Sequence, residues 1–176
     1  MAVLRAVVDI PSSNDSAPSV EGARIEAELR ALVKRHAPWA VIRFERHGAR
    51  PYGVSWDGNV LRTTGRTYES VIHEVAHLLL SPPERIRLPE FGLGPDPCRR
   101  GFVERVTSRE EADLEEHDAC VLQLLIVRIL GLDEPLVRNE YGTAPLTREV
   151  IEALRRGRPH ALPEAWWKRA LAPERA

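Results

Sequence analysis

Between Val20 and Ala37 the apolar residues Ile25, Leu29, Leu32 and Val33 recur at helical spacing on one stripe, and Pro38 ends the run. That pattern predicts an amphipathic helix with one face committed to a core. Three short segments of strand character follow, "WAVIRFERH", "RPYGVSW" and "NVLRTTG", the last two joined by Asp57-Gly58, a dipeptide suited to a tight hairpin turn. A small antiparallel-containing sheet is expected here, with "NVLRTT" as an edge to which an extended peptide could pair through its backbone. The next stretch, "SVIHEVAHLLLSPP", is greasy apart from three ionisable residues and stops at two prolines. With Thr67 as its cap it predicts a helix over about residues 68–80.

Residues 81–107 carry five prolines and three glycines, which predicts a long irregular loop of the kind that is usually functional or mobile. Ser108 and Glu111 have the spacing of a capping box and open the longest helical pattern, "SREEADLEEHDACVLQLLIVRILG", closed by Gly131. Its first half is acidic, and its nearly all-apolar second half must be buried. "LTREVIEALRRG" and "LPEAWWKRAL" predict two short amphipathic helices, with Trp166 and Trp167 packing the tail onto the rest. At the other end, "MAVLRAVVDIP" reads as a short strand and "PSSNDSAPSV" as a polar linker. The expected organisation is therefore an N-terminal strand, arm and linker over residues 1–19 and one α+β domain over residues 20–176.

Composition removes several function classes. A formal net charge of -1 provides no surplus of Lys and Arg to displace counterions from a phosphate backbone, so direct nucleic-acid binding is not expected. Cys98 and Cys120 form no CxxC pair and cannot build a disulfide framework. Arg5, Asp9 and Pro11 interrupt the apolar start, and no stretch reaches the ~20 uncharged apolar residues of a membrane helix. A cytoplasmic protein with no membrane association is expected, its oligomeric state open.

The chemistry lies in "HEVAH". Positions four apart share a helix face, so His73 and His77 can turn both imidazoles toward one point, a clamp for a divalent ion. Imidazole suits Zn2+, whose catalytic sites take three protein ligands and leave a position for water. Glu74 is rotated by roughly 100° from His73 and cannot comfortably reach the same ion. It can reach the bound water, whose pKa zinc lowers, and serve as general base before passing the proton to a leaving amine. Three polar groups in an apolar helix thus describe a hydrolytic centre for a peptide bond, anchored by Val71, Ile72, Val75, Ala76, Leu78 and Leu79.

A third ligand is expected from the acidic half of the 108–131 helix, by virtue of sharing a face with small and apolar residues that allow close helix approach. Glu116, three before Ala119 and four before Cys120, is preferred; Glu115 and then His117 stay open. With these residues the chain resembles the gluzincin-like zincin metallopeptidases. The order helix, small sheet ("RPYGVSWDGNVLRTT"), HExxH helix, loop and E-x-x-A helix ("EHDACVLQLL") looks like the ImmA/IrrE family of regulatory metallopeptidases. In that family the third ligand opens an E-x-x-A-N-x-F-A pattern, which falls here on Glu116 with Ala119 matching, while Cys120, Leu122 and Gln123 depart from it. The resemblance runs through residues 20–131 and implies a zincin-like fold and a zinc-dependent endopeptidase acting on a protein or peptide partner such as a transcriptional regulator. The competing reading is a zinc-bearing interaction module of the same fold with little or no proteolysis.

Elsewhere, Tyr141 in "NEYGT" is a candidate donor to an oxyanion, though packing is its default role. His36, His47, His117 and His160 are not in metal spacing with one another, and each is expected by default to be solvated or hydrogen-bonded.

Overall fold

The computed structural model describes residues 19–45, 54–64, 68–94, 104–141 and 145–172. The expected N-terminal strand, the Thr67 cap, Cys98, His47 and the side chain of Tyr141 lie outside the described residues. The first helix, α1 (Val20–His36), starts at Ser19, whose hydroxyl accepts from the Gly22 amide, and buries the stripe read from the sequence. Strands β1 (Val41–Glu45), β2 (Val54–Trp56) and β3 (Val60–Thr64) follow, then helices α2 (Tyr68–Leu80) and α3 (Arg109–Leu130). Three shorter helices complete the described chain: α4 (Glu134–Tyr141), α5 (Arg148–Gly157) and α6 (Glu164–Leu171). The architecture is α+β, as expected, and α4 is an element the hydrophobic pattern did not disclose.

The sheet contains the expected antiparallel pair, but the strand expected at its edge lies in its middle. β2 and β3 form the expected antiparallel hairpin, with Val54 opposite Thr63 and Trp56 opposite Leu61. Asp57 tightens the turn by accepting from the amides of Asn59 and Val60, and Gly58 takes the left-handed φ of 98°. β1, however, runs parallel to β3, so the sheet is mixed with the order β1-β3-β2. "NVLRTT" is therefore the central strand: its backbone groups are already paired on both sides, and it is no docking edge for a peptide.

α2 is buried at every residue but Glu74, as its nearly continuous apolar pattern demands. It packs along α3, against α1 on one flank and β2 on another. The Ser108 and Glu111 box caps α3, and Gly131, at φ 78°, ends it. Ala119 through Val127, all buried, are the part of α3 that enters the core. Trp167 is buried and donates its indole N–H to the Pro159 carbonyl, while Trp166 lies partly buried under Arg169, so the pair does pack the tail. No helix among the described residues is long and apolar enough to cross a membrane. Within the 81–107 segment the described residues form turns and one short 3-10 helix, Pro89–Gly92.

Candidate metal centre

Two consecutive turns of α2 and one turn of α3 meet at a single point. His73 and His77 present their Nε2 atoms 3.2 Å apart. The Glu116 carboxylate spans them, Oε1 lying 3.0 Å from His73 Nε2 and Oε2 3.1 Å from His77 Nε2. Donors about 2.0–2.1 Å from a tetrahedral zinc ion stand roughly 3.3 Å from one another, so the three side chains are spaced as a shared cation requires. His73, His77 and Glu116 form a group able to hold a metal ion.

The surroundings of each ring decide how it can act. Gln123 donates its side-chain N–H to the Glu69 carbonyl at 2.9 Å, which turns its amide oxygen toward His73 Nδ1 at 3.0 Å. Because an amide oxygen only accepts, Nδ1 carries a proton, which leaves Nε2 as the nitrogen that takes up either a second proton or a metal ion. His77 Nδ1 is buried without a hydrogen-bond partner, and the Glu115 Oε1 atom faces it at 3.8 Å, too far for a hydrogen bond. Glu115 is itself buried, paired with Arg85 and accepting from the Ser81 hydroxyl at 3.3 Å. One face of the His77 ring stacks on Phe91, with centroids 5.7 Å apart, and Phe91 stacks in turn on Trp56 at 5.5 Å.

Electrostatically the site is a cation trap. Burial works against a charged His73, yet hydrogen bonding to Cys120 and Glu116 outweighs it and raises the ring's pKa. Burial likewise opposes charge on His77, and the carboxylates of Glu115, Glu116 and Glu74 overcome it. The same two rings hold Glu116 far below the usual carboxylate range, against its own burial. Positive charge is thus favoured between these groups, supplied by protons in the metal-free protein. The Cys120 thiol, 3.9 Å from Glu116 Oε1, donates toward that carboxylate.

Of the three candidates on α3, Glu116 meets both Nε2 atoms, Glu115 faces the far nitrogen of His77, and His117 points away with a side chain 70% exposed. Glu74 is partly exposed beside the buried pair, and its charge acts on His77. Sequence reasoning missed Gln123, Arg85, Ser81 and Phe91. Gln123 alone left a signal: a lone amide in the buried run "VLQLLIV" must find a partner. His36 stacks on His160 at 6.2 Å, and burial next to that second ring lowers its pKa. No protein-family model, curated protein or solved structure matches the chain.

Proposed function

We propose that the protein is a zinc-dependent endopeptidase built on the ImmA/IrrE-like plan, in which His73, His77 and Glu116 hold the metal. The observation that carries this reading is the Glu116 carboxylate bridging two imidazole nitrogens at 3.0 and 3.1 Å, beside the partly exposed Glu74. A divalent ion held there would polarise a scissile carbonyl and lower the pKa of a water molecule. The side chains do the rest. Glu74 would take a proton from water as its oxygen adds to the scissile carbonyl, and would return that proton to the amine nitrogen as the C–N bond breaks. Gln123 holds the His73 ring from behind by a hydrogen bond, the Glu115 carboxylate faces the His77 ring from behind, and the half-exposed Glu116 leaves the centre open on its solvent side.

The cytoplasmic regulatory substrate belongs to the same reading, on the strength of the resemblance. The test has two arms. Protein purified without chelators is analysed for metal, and wild type and Glu74→Gln are compared for cleavage of peptide libraries and a co-expressed candidate regulator. Equimolar zinc in both proteins with cleavage only by wild type is expected. Zinc in both but cleavage by neither leaves the interaction-module reading, and absence of divalent metal ends both.

A further inference from the structure

We infer that Arg85 is a positioning residue for this centre, orienting the His77 ring through two contacts made by one guanidinium; the inference rests on the metal reading above. One terminal nitrogen of Arg85 pairs with Glu115 Oε2, and the other donates to the Phe91 carbonyl at 2.7 Å. Those two partners are the groups that confine His77. Glu115 Oε1 faces its Nδ1 edge at 3.8 Å, and the Phe91 ring covers its face, backed by Trp56. Through Arg85 the edge and the face of one imidazole are tied to a single side chain that touches neither the ring nor its proposed ion.

The backbone at Phe91 shows that this arrangement is held against a preference. Glu90 and Phe91 adopt φ of 48° and 55°, a left-handed conformation that L-residues avoid, and two in succession persist only where surrounding contacts impose them. Besides Arg85, the turn is secured by Phe91 N–H to the Leu88 carbonyl and Leu93 N–H to the Glu90 carbonyl. The result is a buried aromatic ring seated against a proposed ligand. The planar fork of arginine can meet a carboxylate and a carbonyl together, whereas a lysine offers one point of charge.

A purely structural Arg85 would matter for stability alone, so the test reads the metal. Full-length wild type, Arg85→Met, Arg85→Lys, Glu115→Gln and the Arg85→Met/Glu115→Gln double variant are stripped of metal. Each is titrated with Zn2+ against a chromophoric chelator, and the visible absorption of its Co2+ form is recorded. Arg85→Met should weaken Zn2+ binding about 10–100-fold and alter the cobalt bands, as loss of outer partners does. Arg85→Lys should fall between it and wild type, and the double variant should lose less than the product of the single losses. Wild-type affinity and an unchanged cobalt spectrum in Arg85→Met overturn the proposal, whatever its melting temperature; if that variant does not fold, the same result in Arg85→Lys does so. A wild type that takes up neither ion removes the metal reading itself, and this inference with it.

Discussion

Glu115 and Glu116, neighbours on α3, address opposite nitrogens of one imidazole: Glu116 Oε2 lies 3.1 Å from His77 Nε2 and Glu115 Oε1 lies 3.8 Å from His77 Nδ1. Successive helix residues point about 100° apart, so a pair can do this only where the helix crosses close to the ring. The acidic start of α3 thereby places a candidate ligand and its outer partner next to each other in sequence.

The two glutamates should separate in titrations. Glu116→Gln removes a proposed inner ligand and is expected to lower Zn2+ affinity by more than about 100-fold, whereas Glu115→Gln should cost about 10–100-fold. Competition with a chelator of known affinity measures both. Equal losses would mean that the roles are misassigned.

Gln123→Leu fills a similar volume but removes the side-chain amide that bonds both His73 Nδ1 and the Glu69 carbonyl in the core. Deleting a buried hydrogen-bonding side chain costs about 1–3 kcal/mol. Urea denaturation of the metal-free variant should show a loss of that size, and Zn2+ binding should weaken with it, because the His73 tautomer is no longer selected.

The metal-free protein should lose stability as pH rises above neutrality. Burial opposes charge on both rings, yet Cys120 and Glu116 raise the folded-state pKa of His73 from 6.5 to about 9, and the neighbouring carboxylates of Glu115 and Glu116 raise that of His77 to about 10. A raised pKa means that the folded state binds more protons than the unfolded one, so this stabilisation is complete below about 6.5 and disappears as pH climbs through the folded values. Glu116 acts in the opposite sense: its pKa is lowered, so its contribution is present above 4.5 and fades as pH falls below that. Denaturation midpoints in chelator from pH 5 to 10 should decline on the alkaline side. With Zn2+ present the trend should flatten, because the ion replaces the protons.

Gly58 and Gly131 offer a comparison of strain with and without crowding. Both have left-handed φ, 98° and 78°, but a Cβ on Gly58 would sit 2.2 Å from the Arg87 carbonyl oxygen, while one on Gly131 meets nothing within 4 Å. Gly131→Ala should cost about 1–2 kcal/mol from conformation alone. Gly58→Ala should cost more, since the hairpin turn and the Arg87 backbone must move apart. Thermal melts of the two variants order them.

Much of this molecule is readable from residue spacing. Ile25, Leu29, Leu32 and Val33 mark α1, Asp57-Gly58 marks the hairpin, Ser108 and Glu111 mark the start of α3, and all act through neighbours a few residues away. The His73 and His77 convergence is equally local, because one helical turn sets it. What spacing leaves open is whatever depends on the packing of distant segments. The parallel pairing of β1 with β3 makes the strand once read as an edge the middle of the sheet, and no short-range pattern distinguishes those outcomes. The approach of α3 to α2 brings Glu116 to both imidazoles, leaves Glu115 behind His77 and turns His117 to solvent, although all three are near neighbours in the chain. Phe91 reaches His77, with Arg85 bonded to its carbonyl, only because the chain after α2 folds back in a left-handed turn. The sequence by itself thus determined the helices, the hairpin and the facing pair of imidazoles, since hydrogen bonds and side-chain periodicity within a few residues suffice for these. Tertiary structure alone decided which carboxylate completes the group and what surrounds it, because helix crossing and long-range burial set those distances.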